Sequence, residues 1–146
     1  ENNISSMNIF LQSANSLTDN DIKLSERLYI PSKNLRGFES GKIGPKDGDD
    51  FIGGNFATTI NFTSTIPQLL ENVENMDVVL FLDAANLWGV DYNSSLDENG
   101  EIRSALGIGI DWLTVIGPMN FSLSQPITKS PTDITESFRF NLGTTF

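Results

Sequence analysis

The segment IRSALGIGIDW, residues 102–112, decides the fold because its side chains alternate. Its even positions are mostly large and apolar, as in Leu106, Ile108 and Trp112, whereas its odd positions are small or polar. A period of two predicts a β-strand with two unlike faces. The segment is also as long as a tilted strand must be to cross a bilayer, about 9–11 residues.

The same alternation recurs along the chain and predicts an all-β, antiparallel fold. The other strand candidates are residues 55–66, 78–85, 119–125 and 138–146, with residues 7–14 as a weaker one. Residues 78–85 are apolar on both faces, except at Asp83. Ten Phe and many Asn, Ser and Thr also favour strands and turns over helices.

Two architectures produce such alternation. A soluble sandwich or ligand-binding barrel points its apolar face inward, whereas a membrane barrel points that face at lipid and fills its lumen with polar groups. The second face here is rich in Gly, Ser, Asn and Thr and poor in the Lys and Glu of a solvated sheet. A tight turn at 114–118 and a long acidic loop at 86–101 also match the unequal rims of outer-membrane barrels. The membrane barrel is therefore the favoured interpretation.

The residue types present exclude several classes of function. The 146 residues include no cysteine and no histidine, so neither a Ser–His–Asp triad nor a zinc site of thiolates or imidazoles can form. A net charge of −10 without basic blocks argues against a nucleic-acid partner. The acidic stretch at 46–50 lacks the spacing of a calcium loop, and no base accompanies Asp83 and Asp111. We therefore expect no catalytic residue, metal or cofactor, and no enzyme.

Seven short motifs, in order and ending at the C-terminus, carry a family resemblance. They are LRGF (35–38), IGP (43–45), GGN (53–55), FLDAANLW (81–88), IRSALGIGIDW (102–112), GPMNFSLSQP (117–126) and FRFNLGTTF (138–146). Together they resemble the BamA-like outer-membrane protein assembly factors, also called the bacterial surface antigen family. The resemblance covers about residues 28–146.

The resemblance implies a fold and a location. The fold is a transmembrane barrel of sixteen antiparallel strands in the bacterial outer membrane, of which residues 1–146 would supply about the last six. The earlier barrel strands and the periplasmic POTRA domains would lie upstream of this fragment. Residues 15–53 would form a long extracellular loop that folds back into the lumen as a lid.

The resemblance also implies a function and partners. The family folds and inserts other β-barrel proteins into the outer membrane without ATP or a chemical reaction, and client strands would add at the seam beside the C-terminal strand. Implied partners are unfolded outer-membrane clients, accessory assembly lipoproteins and outer-membrane lipid. One alternative is a pore of the same superfamily that translocates or secretes polypeptides; a second, from another class, is a soluble β-barrel or sandwich binding module. Because six strands cannot close a lumen, the excised chain is expected to self-associate.

The family motif Arg36-Gly37-Phe38 lies in the lid loop, and its implied lumenal partners are Asp83 and Asn61. Arginine suits a buried carboxylate because its planar fork can hold both oxygens. Arg103, which also faces inward, is a rival partner for Asp83. Two residues depart from the family pattern: Asn61 stands where a second acid is usual, and Ala85 where a glycine is common after the aspartate.

The C-terminal strand resembles the signal by which outer-membrane proteins are recognised. Its apolar face carries Phe138, Phe140, Leu142 and the terminal Phe146. A strand edge with unpaired N–H and C=O groups is a template for an incoming strand. Gly143 would weaken this seam, because glycine adds no side-chain packing to a strand.

Overall fold

The computed structural model describes residues 3–18, 20–67, 69–97 and 100–143. Its strands are β1 (Ile4–Ser13), β2 (Lys46–Asp47), β3 (Asp50–Phe51), β4 (Phe56–Pro67), β5 (Met76–Trp88), β6 (Arg103–Thr114), β7 (Gly117–Thr128) and β8 (Phe138–Leu142). Two 3-10 turns, Leu24–Glu26 and Ser94–Leu96, lie in the loops. No α-helix occurs in these ranges, and the predicted all-β class is confirmed.

Six strands form one antiparallel sheet in the order β1-β4-β5-β6-β7-β8, and β2 and β3 form a separate hairpin. Pairing between β4 and β5 runs from Phe56 opposite Trp88 to Pro67 opposite Asp77. Each neighbour in the sheet is a neighbour in sequence, apart from the long excursion between β1 and β4. This meander is the wall of an up-and-down barrel that the chain leaves open.

Several predicted strands and loops were shorter or longer than the observed ones. β5 extends to Trp88, so the acidic loop begins at residue 89 and not at 86, because Asn86 to Trp88 pair with the start of β4. The connection predicted at 65–77 shrinks because β4 continues to Pro67 and β5 begins at Met76. The last strand ends at Leu142; residues 144–146, including Phe146, lie outside the described residues.

The two faces of the large sheet differ as predicted. On the outer face, Ile108 and Phe140 are each 45% exposed. On the inner face, Asp83 and Ala105 are fully buried. A soluble sandwich would bury the apolar set in a dry interior, so that alternative is wrong and the lipid-facing orientation is confirmed. The described ranges contain no helix with the length and hydropathy needed to span a membrane.

The segment at 15–53, the lid loop, packs against the inner face of β4 to β6. It contributes four buried apolar side chains to a cluster that the strands complete: Ile30, Leu35, Phe38 and Ile43 from the loop, and Ala57, Ala85, Leu87 and Ala105 from the wall. This packing explains why β5 is apolar on both faces, since one face meets the lid loop and the other lies on the outside of the sheet.

Candidate functional site

The candidate site lies where the lid loop touches β5. Asp83 sits in the middle of β5, on the inner face, with a fully buried side chain. Arg36 follows the buried Leu35, and its side chain is only 10% exposed. The loop therefore delivers a cation to a carboxylate that has no access to water.

Arg36 and Asp83 form a bidentate ion pair. The Arg36 Nε donates to Asp83 Oδ2 at 2.7 Å and the Nη2 donates to Oδ1 at 2.7 Å, while the Arg36 backbone N–H donates to Oδ2 at 2.9 Å. Nη2 also donates to Thr63 Oγ1 at 3.2 Å, and the guanidinium carbon lies 4.0 Å from the centre of the Phe81 ring. Three donors on one carboxylate offset much of the cost of burying its charge.

Phe81 reaches this position because Gly107 on β6 leaves room for it. A Cβ at Gly107 would lie 2.2 Å from the Phe81 Cζ and 2.5 Å from the Leu123 carbonyl oxygen. The ring therefore lies across the neighbouring strand and supports the guanidinium from one side, as in a cation–π contact.

Gly37 and Phe38 complete the motif. Gly37 has φ +96°, a conformation that favours glycine, and a Cβ there would lie 3.0 Å from the Ala105 Cβ. The backbone of the motif thus touches β6 directly. Phe38 is 2% exposed within the apolar cluster and forms an antiparallel bridge with Thr135.

Asn61 lies directly opposite Asp83 in the β4–β5 register, yet it does not bind the arginine. Its Nδ2 donates to the carbonyl oxygen of Asn34 at 2.7 Å, so it acts as a donor to the lid loop and not as an acceptor from it. This follows from its amide, which offers the donor that a carboxylate lacks. Ala85 packs in the apolar cluster.

The rival pairing of Arg103 with Asp83 is wrong, because Arg103 has a carboxylate of its own. Its Nε donates to Asp133 Oδ2 at 2.8 Å and its Nη2 to Oδ1 at 3.1 Å, with both side chains fully buried. Asp133 also accepts hydrogen bonds from the backbone N–H groups of Ser130 at 2.7 Å and Gly44 at 3.3 Å. It therefore joins the wall, its own loop and the lid loop.

Sequence reasoning missed Asp133 as the second anchor. The sequence did contain a signal for this residue. Alternation places Arg103 on the inner face, and a cation that points inward from a barrel wall requires a carboxylate partner. Once Asp83 is assigned to Arg36, a second acid has to be sought. Asp133 sits in a loop without a periodic pattern, so its position could not be derived from alternation.

A third contact ties the lid loop to the loop that follows β5. Arg27 forms an ion pair with Asp91, and its Nη1 donates to Asn55 Oδ1 at 3.2 Å. The Ile22 N–H donates to Asp91 Oδ2 at 2.8 Å. Desolvation opposes ionisation, but the hydrogen bonds from Ile22 and Arg27 outweigh it and lower the pKa of Asp91 from 3.8 to about 2.

The residues proposed for the seam lie on and just beyond β8. Phe138, Phe140 and Leu142 point to the outer face and are about half exposed. Gly143 lies after the strand, with φ +85° and its N–H donating to the Pro118 carbonyl at 2.7 Å. It therefore lies directly after the last described residue of β8 and not within the strand, where the sequence analysis had placed it.

An antiparallel sheet with an apolar outer face and a loop anchored on its inner face defines the wall of a transmembrane β-barrel. Residues 2–146 match the Omp85 superfamily domain. The chain belongs to the Omp85 superfamily, and it lies in the bacterial outer membrane.

Two curated relatives and one solved structure illustrate the likeness. The chain is 31% identical over 140 residues to outer membrane protein assembly factor BamA of Neisseria meningitidis serogroup B, a match covering 77% of this chain and 18% of that protein. It is 27% identical over 140 residues to a SAM50-like protein of Schizosaccharomyces pombe, covering 90% and 29%.

The crystal structure of BamA from Haemophilus ducreyi lacking POTRA domains 1–3 superposes with a TM-score of 0.82 at 26% identity, over 94% of this chain and 30% of that one. The predicted resemblance to BamA-like barrels is thereby confirmed. The chain spans less than a third of the length of each of these proteins.

Proposed function

We propose that this chain is part of a β-barrel that folds and inserts other β-barrel proteins into the bacterial outer membrane. Its unfolded clients, accessory assembly lipoproteins and the surrounding lipid would be its partners. The likeness to a protein named as an assembly factor supports this role. No covalent bond is made or broken in such a process, so it requires no catalytic residue.

The observation that carries the proposal is the match of this six-stranded wall to the solved structure of a BamA, with a TM-score of 0.82 at 26% identity over 94% of this chain. β8 is the last strand of the wall, and it pairs with β7 from Met119 opposite Leu142 to Leu123 opposite Phe138. Where the pairing of this strand opens, its backbone donors and acceptors would be available to an incoming strand, whatever the side chains of that strand are.

The buried anchors have a complementary role in this mechanism. A wall that receives client strands at one edge has to keep its shape elsewhere. The Arg36–Asp83 pair fixes the lid loop to β5, and the Arg103–Asp133 pair fixes the loop between β7 and β8 to β6, where the N–H of Gly44 in the lid loop also donates to Asp133. We infer that they hold this part of the barrel rigid while the seam opens.

The lid loop is proposed to lie on the cell exterior. It leaves the sheet at the same rim as the long loop that follows β5, as the Arg27–Asp91 ion pair between them requires. The tight turn between β6 and β7 is at the opposite rim, and short turns are typical of the periplasmic side.

Site-specific photo-crosslinking tests the seam. A benzoylphenylalanine replaces Phe140 on β8 or, as a matched control, Phe62 on β4; both side chains face outward and are 45% and 43% exposed. In full-length protein given a client stalled during assembly, we expect client adducts at position 140 and not at 62. Equal yields at the two positions, or none at 140, would contradict the proposal.

The isolated chain offers a simpler test of its open edges. β1 and β8 each lack a second strand partner among the described residues, and the outer face is apolar. We expect the isolated chain to self-associate in the absence of detergent, as measured by light scattering. A monodisperse monomer would be the contrary result.

A further inference from the structure

The lid loop pairs through its backbone with the lead-in segment, residues 134–137, which runs directly into β8. Phe38 and Thr135 form an antiparallel bridge, and three backbone hydrogen bonds surround it. They run from the Glu39 N–H to the Ile134 carbonyl at 3.0 Å, from the Ile134 N–H to the Lys42 carbonyl at 2.9 Å, and from the Glu136 N–H to the Gly37 carbonyl at 2.9 Å. The lid loop therefore occupies the place of a short antiparallel strand beside this segment.

The pairing uses the edge of the last strand that faces away from β7. The Ser124 N–H on β7 donates to the Ser137 carbonyl at 2.8 Å, so residue 137 directs its backbone groups at β7. Because successive residues of a strand direct these groups at opposite edges, residues 134 and 136 belong to the other edge. The chain bends at Ser137, and alternate residues of β8 continue that second edge beyond the bend. This edge is the one assigned to the seam.

A proline explains why β7 does not pair with the whole lead-in segment. In the β7–β8 register Leu123 lies opposite Phe138, so three residues further along each strand Pro126 would lie opposite Thr135. Position 126 is also the next one after Ser124 whose N–H would point at the last strand, and proline has no N–H to donate. The ladder to β7 therefore stops, and the lid loop supplies backbone partners beyond it.

Both sides of this pairing are held in place. On the lid side, the Lys42 N–H donates to the Glu39 carbonyl at 3.2 Å and closes a turn in which Gly41 has φ +71°. On the other side, Asp133 directly precedes the lead-in segment and is fixed to the wall by Arg103. The contact thus joins two anchored parts of the chain.

We propose that the lid loop covers the end of the seam nearest to it and sets where a client strand stops. Residues 37–42 occupy the backbone groups of residues 134 and 136, so an incoming strand can pair with β8 but not with the lead-in segment. Release of the lid loop would lengthen the edge that is open to a client. The consequence for clients rests on the proposed insertase role, whereas the pairing itself does not.

Amide hydrogen exchange in the full-length protein, without a client, tests the pairing. Glu39→Pro removes the N–H that donates to Ile134, and the extended backbone of Phe38 suits a following proline. We expect the amides of Ile134 and Glu136 to exchange about tenfold faster than in the unchanged protein, as for the loss of one hydrogen bond.

Ser40→Pro is the matched control for this variant. Residue 40 is the second position of the turn that contains Gly41 at φ +71°, and proline is favoured there in a type II turn. The exchange of the two amides should stay as in the unchanged protein. Equal exchange in the two proline variants, or unprotected amides in the unchanged protein, would overturn the proposal.

Photo-crosslinking tests the stop itself. Benzoylphenylalanine replaces Ile134, whose side chain is 43% exposed, or Phe140 on β8. We expect client adducts at position 140 in all proteins, and at position 134 only when Glu39→Pro is also present. Equal adducts at both positions in the otherwise unchanged protein would contradict the stop. If position 140 gives no adduct in any protein, the insertase role fails, while the exchange measurement still decides the pairing.

Discussion

The inner face of this sheet has two halves: a dry half, which the lid loop covers, and a wet half, which no described segment covers. Over β4 to β6 the lid loop packs Leu35 and Phe38 against the wall, and two ion pairs are buried beneath it. Beside β1, β7 and β8 the same face borders an open space, which also reaches Asn61 and Thr63 on β4. The sequence pattern of small and polar inner residues is similar in both halves. What differs is whether another segment of the chain covers them.

The difference changes what an ion pair contributes. Asp133 and Arg103 are fully buried, whereas the side chains of Glu136 and Arg139 are 35% and 25% exposed. Removing one partner of a buried pair leaves a charge without compensation, whereas water can compensate an exposed one. The same chemical contact is therefore structurally essential in the dry half and nearly dispensable in the wet half.

The largest loss of unfolding free energy is expected for Asp133→Ala. It leaves the Arg103 guanidinium buried without its carboxylate, which costs roughly 3–5 kcal/mol. Urea unfolding of the full-length protein in detergent, followed by tryptophan fluorescence, measures the loss.

Glu136→Ala is the matched control from the wet half. Because its pair is partly exposed, its removal should cost about 0–1 kcal/mol. Comparable losses in the two variants would remove the distinction between the halves.

A smaller loss of unfolding free energy is expected for a change at Gly37, where the backbone of the Arg36-Gly37-Phe38 motif touches β6. Gly37→Ala introduces both an unfavourable backbone conformation and a Cβ 3.0 Å from that of Ala105. Gly41→Ala has a similar positive φ with nothing within 4 Å, so it isolates the backbone cost of about 1–2 kcal/mol. Gly37→Ala should be the more destabilising of the two in the same unfolding experiment. Equal losses would show that the close approach to β6 is unimportant.

The smallest effect is a pH dependence in the stability of the lid loop where it contacts the loop that follows β5. The pKa of Asp91 is about 2 in the folded chain, below its ordinary 3.8. The contribution of the ionised carboxylate to stability is therefore complete above pH 3.8 and is lost as the pH falls through about 2. Proteolysis of the lid loop by pepsin should therefore accelerate between pH 4 and pH 2. Asp91→Asn should lose most of this dependence, and an unchanged profile would contradict the assignment.

Alternation predicted much of this architecture because sheet faces have a strict period of two. The outward placement of Ile108 and the inward placement of Asp83 and Arg103 follow directly from it. The partner of Asp83 required more, because Arg36 lies 47 positions away in a loop without periodicity. Only the family resemblance brought these two residues together.

The rest of the site could not be read from the sequence for physical reasons. Asp133 and Arg27 lie in irregular segments, where the direction of a side chain depends on tertiary packing. The sequence shows that β5 is apolar on both faces, but it does not show why. The reason is that the lid loop covers the inner face, and this packing depends on long-range contacts. Gly143 looked like a strand residue because local composition does not reveal a positive φ.

The Arg36–Asp83 pair is the central element, and a double-mutant cycle tests it most directly. Limited proteolysis of the lid loop is compared in full-length protein carrying Arg36→Ala, Asp83→Ala or both changes. We predict that each single change releases the loop and impairs assembly. The double variant should be cleaved no faster than the worse single one, corresponding to a coupling of about 0.5–3 kcal/mol. Additive effects, or a loop that stays protected in either single variant, would contradict the account.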